Sequence, residues 1–243
     1  MPTPSFLAGQ AYAVDPGTHS YNNLYGGPNV ALIVDVLGRT NPSGVTYNGV
    51  AMTLAAGPQV GAEPFYLESY YLLNPPTGAH DIVVSGAGDG AVHARTYKNV
   101  KSSSPIGNTG GAGNFGQTVT PEVTIASEAT ELVVCASMHE GRGTNNMGPA
   151  SGQTERLESG SGAGDAGLMT GDEAGAASVV TGSWNNPQST INADGLTIAY
   201  GLKYGASGGG PRWFLFRRFM DDLKRGLVPP DTLRRRYRDL VSI

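Results

Sequence analysis

Ser69-Tyr-Tyr-Leu-Leu-Asn-Pro-Pro-Thr-Gly-Ala-His-Asp-Ile-Val-Val84 carries the pattern that decides the fold. Its first residues close a β-rich run, Phe65 to Leu73, and Asn74-Pro75-Pro76 stops that run. Proline does so because it lacks the N–H that a sheet ladder needs and fixes its own φ. A second β-rich run, His80-Asp-Ile-Val-Val-Ser85, starts just beyond the turn. Short strands separated by Pro, Gly and Asn read as antiparallel structure.

The same grammar holds on both sides. Val30-Ala-Leu-Ile-Val-Asp-Val-Leu37 is a continuous apolar run ended by Gly38, suited to a buried strand. Val45-Thr-Tyr-Asn-Gly-Val-Ala-Met-Thr-Leu54 is two runs about Asn48-Gly49, a dipeptide that supplies the positive φ angles of a tight hairpin. Ala91 to Tyr97, Glu122 to Ile125, Glu131 to Ser137, Ala177 to Thr181 and Leu196 to Lys203 bring the set to about ten. No convincing internal repeat emerges. The expected fold is mainly β: a jelly-roll-like antiparallel β-sandwich with a short C-terminal α-helical appendage.

Composition agrees. Among 243 residues, 36 are Gly and 16 are Pro, while only 15% are charged, which argues against a helix bundle. An apolar share of 39% argues against disorder throughout. The single cysteine, Cys135, excludes an intrachain disulfide and a Cys-based zinc site. No stretch approaches the ~20 apolar residues of a membrane span. The N-terminus has no basic, then apolar, secretory pattern, so the expectation is a soluble protein made in a cytoplasm.

Charge divides the chain. Residues 1–204 hold 7 basic and 16 acidic side chains, and residues 205–243 hold 9 basic and 4 acidic. Gly205-Ala-Ser-Gly-Gly-Gly210 lies between, with the composition of a flexible linker. The expected organisation is a sandwich over 1–204, a linker over 205–210 and a helical arm over 211–243. In the arm, Trp213, Phe216, Phe219, Met220 and Leu223 fall on one face of a helix begun by Pro211. Leu233, Tyr237, Leu240 and Val241 mark a second helix. The first stripe exceeds what a lone short helix can bury on itself, so it must meet another surface. Docking onto another chain is the favoured reading, with Arg217, Arg218, Arg234 and Arg235 as flanking contacts. Packing on its own sandwich is the plainer alternative. Four Asp residues in the arm weaken a nucleic-acid reading, and no membrane partner is assigned.

Catalytic patterns fail on context. Gly205-Ala-Ser-Gly-Gly209 matches the Gly-x-Ser-x-Gly elbow, but all four histidines (His19, His80, His93 and His139) precede Ser207, the wrong order for a hydrolase triad. Gly162-Ala-Gly-Asp-Ala-Gly167 matches a dinucleotide fingerprint without an apolar strand before it. His80-Asp81 and His139-Glu140 cannot readily converge on one ion, since neighbours on a strand point to opposite faces. Spacing gives no support to a carboxylate pair among Glu63, Glu68, Glu122, Glu155 and Glu158. Tyr21, Tyr25, Tyr47, Tyr66, Tyr70 and Tyr71 suit a sugar platform, but core or sheet surface is the better reading. No catalytic, cofactor or metal residue is assigned.

The Ser69–Val84 stretch also resembles a jelly-roll sandwich module of bacteriophage virion proteins and bacterial surface or secreted proteins. Those modules share a Leu-x-Asn-Pro-Pro-x-Gly-x-His-like turn followed by an alternating Val strand. Val45–Thr53 is similar to the hairpin that precedes it, and Tyr97–Gly107 to a later turn, with Asn99 where Gly is usual. Glu131-Leu-Val-Val134 and Leu196–Lys203 also fit, so the resemblance spans roughly 28–204. It implies display, adhesion or capsid-surface roles and no shared catalytic residues. The expectation is therefore a virion structural protein, a capsid decoration or head-fibre protein held through its C-terminal arm. Its partners would be capsid or tail subunits and its own copies. The alternatives are a tail accessory protein and a carbohydrate-binding or adhesion module that meets a host-surface glycan.

Overall fold

The computed structural model describes residues 3–12, 17–60, 65–117, 122–139, 148–149, 152–159, 166–176, 179–182, 184–185 and 193–205. The chain divides into two compact units, Met1–Ala206 and Ser207–Ile243, and the described residues all belong to the first. The helical arm expected at 211–243, and all of the linker beyond Gly205, lie outside the described residues.

The described chain is mainly β, and its strands pair antiparallel. In order they are β1 (Ser5–Tyr12), β2 (Thr18–Asn23), β3 (Val30–Gly38), β4 (Gly44–Tyr47), β5 (Val50–Ala51), β6 (Thr53–Val60), β7 (Tyr66–Leu73), β8 (Gly78–Ser85) and β9 (Gly90–Lys98). There follow β10 (Ile106–Gln117), β11 (Val123–Ala126), β12 (Leu132–His139), β13 (Gly148–Pro149), β14 (Thr154–Ser159), β15 (Gly167–Ala174), β16 (Val179–Gly182), β17 (Trp184–Asn185) and β18 (Ala193–Leu202). Every strand expected from the sequence is present.

Sheet I runs β1-β9-β3-β7-β6, sheet II runs β10-β18-β12-β15-β14, and sheet III runs β2-β8-β4-β5. Two ribbons, β11-β16 and β13-β17, complete the set. The stack is layered. Leu32, Val34 and Val36 of β3 pack with Tyr21, Tyr47 and Ile82 of sheet III. Ala31, Ile33 and Leu37 of the same strand turn the other way, onto Leu132, Val134 and Met138 of sheet II. This two-sided burial explains why β3 reads as an unbroken apolar run rather than an alternating one. The far face of sheet II, with Val133 and Cys135, is covered by Val123 and Ile125 of β11.

The turn quoted at the outset is tied to Val30 and Asn23, residues that precede it in the chain. Asn74 adopts φ 52°, a left-handed conformation that asparagine tolerates better than most residues. Its N–H donates to Val30 O at 2.8 Å, and Asn23 Nδ2 donates to Pro76 O at 3.0 Å. Asn48 and Gly49, at φ 50° and 73°, form the two-residue hairpin turn between β4 and β5.

A repeat that the sequence does not display appears in the topology. In each half the first long strand pairs with the last, the last with the third, and the third with the strand that follows the outer edge. Thus β1-β9-β3-β7-β6 is matched strand for strand by β10-β18-β12-β15-β14, and the pair β2-β8 by β11-β16. Sheets I and II pack face to face in an approximately two-fold manner. Strand β1 meets β14 while β6 meets β10, and β9 meets β15 while β7 meets β18, a match that β6 and β7 break by also meeting β18 and β12. The edges exchange in kind. A Cβ on Gly9 of β1 would come 3.0 Å from Leu157 Cδ1 of β14, and one on Gly111 of β10 would overlap the Gln59 side-chain oxygen of β6.

Candidate functional site

Two groupings of polar side chains stand out, one sealed between the sheets and one open to solvent. The sealed grouping crosses the sheet I–sheet II interface. Asp35 of β3 and Arg95 of β9 are fully buried, with Arg95 Nη2 2.6 Å and Nε 3.0 Å from Asp35 Oδ2. Tyr200 of β18 donates to Ser69 Oγ at 2.7 Å, and Ser69 donates in turn to Asp35 Oδ1 at 2.8 Å. Arg95 Nη1 reaches Gly171 O at 3.0 Å and the Tyr97 hydroxyl at 3.2 Å. Tyr97 donates to Asp172 Oδ2 at 3.0 Å, and Arg156 closes a two-bond fork on the same carboxylate at 2.7 and 2.8 Å.

The electrostatics follow from this geometry. Burial opposes the charge on Arg95, but Asp35 and the surrounding tyrosines outweigh it and hold the guanidinium pKa above its usual range. Burial raises Asp35, and Arg95 and Ser69 offset part of that rise. His93 is pushed down to about 3 by burial and by the Arg95 charge, so it is neutral at pH 7. Its Nε2 lies 2.7 Å from Ser159 Oγ and its Nδ1 3.2 Å from Thr170 Oγ1. Groups this deeply enclosed and this fully partnered hold two sheets together and offer a solute no route in.

The open grouping is a cleft of about 330 Å³ in the second half, lined by Gly107, Asn108, Ala126, Ser127, Glu128, Glu131 and Lys203. Glu131 is 4% exposed and accepts a bond from the Glu128 N–H at 3.2 Å. Its carboxylate sits against two strands at glycines: a Cβ would come 2.7 Å from Oε1 at Gly107 and 2.6 Å from Oε2 at Gly201. Asn108 Nδ2 donates to Ala126 O at 2.9 Å. The Ser127 hydroxyl is engaged on both sides by Ala176, through the backbone N–H at 3.2 Å and the carbonyl at 3.3 Å. The lining holds no histidine, and its one hydroxyl is committed to the backbone. The cleft therefore offers a solute two carboxylates, an amide and an ammonium group.

The residues singled out from sequence fall as follows. Tyr21, Tyr47 and Tyr70 are buried, Tyr66 and Tyr71 are half-buried, and Tyr25 is exposed. Three of the six are therefore closed to a solute. The Tyr47 ring instead meets His80 edge-on at 5.6 Å within the first half. His80 also lies 3.0 Å from Thr77 O, while neighbouring Asp81 is exposed on the opposite face. Of the five glutamates, Glu63 lies outside the described residues, Glu122 is exposed, and Glu68 is buried against the Tyr70 hydroxyl. Glu155 and Glu158 share β14; burial, then the charge of Glu155, raises Glu158. Among the described residues no three His, Cys, Asp or Glu side chains are placed to hold a metal ion, and no helix is long and apolar enough to cross a membrane. Trp213, Phe216, Arg217, Arg218, Phe219, Met220, Leu223, Arg234 and Arg235 lie outside the described residues.

The buried network and the Glu131 cleft are absent from the sequence reading. Asp35 inside an apolar run was the one available signal for the first. No family model, curated protein or solved structure matches the chain.

Proposed function

We propose that this chain is a bacteriophage virion structural protein, a capsid decoration or head-fibre protein attached to the particle through its C-terminal arm. The observation that supports it is the strand order. In a jelly roll, eight strands alternate between two sheets, an architecture common among viral capsid domains. The orders β1-β9-β3-β7 and β2-β8-β4 follow that alternation when β5 and β6 count as one strand divided between two sheets. The second half keeps β10-β18-β12-β15 and β11-β16 in the same places. On this reading the chain carries two jelly rolls in tandem. The resemblance of the Asn74-Pro-Pro76 turn and its neighbours to virion modules points the same way. The protein has a display and attachment role, with other virion subunits as partners and no catalytic step.

The test is association with particles. The protein should be present in purified virions at a fixed ratio to the major capsid subunit and should survive the salt and density steps that strip contaminants. A chain absent from purified particles, yet retained on glycan surfaces as a free monomer, would transfer the assignment to an adhesion module.

A further inference from the structure

The two halves share a strand order and meet in an approximately two-fold arrangement, so the competitor for each half's partner is a second copy of that half. What differs is the chemistry at the centre. Aligning the first inward cross-strand pairs, Ala31 opposite Tyr97 and Leu132 opposite Leu202, places Asp35 level with Ala136 and Arg95 level with Tyr200. The same alignment sets Ser69 level with Thr170, the residues directly across from Asp35 and Ala136. The Asp35–Arg95 pair is thus supplied by the first half, a phenol stands at the place of Arg95 in the second, and the second half brings its own ion pair, Asp172 with Arg156.

We propose that Asp35, Arg95 and Tyr200 form a pairing code that makes the first half of this chain join the second half and reject a second copy of itself. The geometry states the reason. Across the unlike interface Arg95 donates to Gly171 O at 3.0 Å, and Tyr200 donates to Ser69 at 2.7 Å, so each buried group has a partner. A like pairing of two first halves replaces Tyr200 with a second Arg95 and Ala136 with a second Asp35, so two ion pairs must be taken out of water where one is now, and Ser69 loses the Tyr200 hydroxyl that donates to it. It also removes Asp172, the acceptor of the Tyr97 hydroxyl at 3.0 Å. Desolvating a buried ion pair is costly even when it is paired, and a specificity role is the best-attested use of such groups. The code matters for a protein displayed in many copies, because exchange of halves between neighbours would cross-link them.

The test uses the full chain with a protease site in place of residues 101–104, all exposed between the halves. After cleavage the two fragments should remain together as a one-to-one complex by native mass spectrometry. After unfolding and dilution, the wild type should return unlike pairs at least tenfold in excess over like pairs. The Asp35→Ala/Arg95→Tyr variant, which gives the first half the residues of the second, should yield like pairs in comparable amount. Separation of the wild-type fragments on cleavage overturns the proposal. So does a statistical mixture of pairs from the wild type, a measurement that stands whether or not the variant folds. Strictly unlike pairing in the folded variant also overturns it.

Discussion

Asp35 Oδ2 stands 2.6 Å from Arg95 Nη2 with both side chains wholly removed from water. Asp35 interrupts the apolar run of β3, and Arg95 lies on the neighbouring strand, β9. Removing one partner leaves a buried charge without compensation. Arg95→Leu should cost about 3–5 kcal/mol, the range for a broken buried pair. Asp35→Ala/Arg95→Leu, which removes both charges, should be more stable than Arg95→Leu alone. Urea unfolding of the single and double variants measures the difference. A double variant that loses the sum of both single losses would show that the two charges are not coupled.

Stability should fall as pH drops below about 6.5, because His93 binds its proton more readily in the unfolded chain. Its pKa is depressed to about 3 in the fold, so its contribution is complete above the ordinary histidine value and is lost on descending toward 3. Each pH unit in that window removes up to ~1.4 kcal/mol. Glu173 acts with the opposite sign. Burial raises it to about 7, so its contribution is present below the ordinary carboxylate range and is lost as pH rises through 7. Melting temperatures of His93→Gln between pH 5 and 8 should therefore lose the acid-side decline and keep a fall toward neutral pH. An unchanged acid-side slope in His93→Gln would remove His93 as its source.

The Glu131 carboxylate lies against Gly107 and Gly201, and being buried and bonded to the Glu128 N–H it has little space into which to move. Gly201→Ala should destabilise by about 1–3 kcal/mol, the usual cost of overpacking, since its Cβ would sit 2.6 Å from Oε2. Gly201→Ala/Glu131→Ala should recover part of that loss. Thermal unfolding of the three variants checks it, and a double variant no better than Gly201→Ala would mean the clash lies elsewhere.

Asn74 and Asn48 hold left-handed backbone at turns, where a Cβ-bearing residue without their local hydrogen bonding costs about 1–2 kcal/mol. Asn74→Ala and Asn48→Ala should each lose roughly that amount, while Asn74→Gly stays near wild type. Equal losses for Asn74→Ala and Asn74→Gly would place the effect in the side chain's contacts instead of in φ.

For the proposed attachment, Trp213→Ala or Phe216→Ala should weaken docking by about 2 kcal/mol or more if each fills a pocket on a partner. Purified variants added to particles lacking the protein give the occupancy directly. Equal occupancy for wild type and a Trp213→Ala/Phe216→Ala double variant would remove the arm as the attachment device.

Strands with apolar or β-branched runs were legible in the sequence: β3, β7, β8, β9, β12 and β18 all lie where the residues put them. The strands that were not legible lack such runs. Strand β10, Ile-Gly-Asn-Thr-Gly-Gly-Ala-Gly-Asn-Phe-Gly-Gln, reads as a loop because glycine lowers strand propensity. Its glycines serve close approach instead, Gly107 beneath Glu131 and Gly111 beneath Gln59. Strands β2 and β15 are polar or mixed, and their neighbours in the sheets decide their state. The repeat escaped notice because it lies in pairing order and burial, while matched positions differ in kind, as Arg95 and Tyr200 do. The polar cleft escaped for a simpler reason: Gly107, Glu131 and Lys203 are far apart in sequence and meet only in the fold.

In each half the strand that begins the sheet pairs with the strand that ends it. Ser5 lies opposite Lys98, and Ile106 opposite Leu202. Neither half can close its sheet until its last strand has been synthesised, so most of its pairings join residues distant along the chain. Such topologies fold slowly, on the order of milliseconds to seconds, because loop closure comes before the contacts that reward it. During translation the first half can complete its own pairing while the inner face of sheet I, with Ala31, Ile33 and Leu37, still has no cover. That face stays open until β18 emerges. The interval between Lys98 and Leu202 leaving the ribosome is therefore the period in which this chain is most exposed to aggregation.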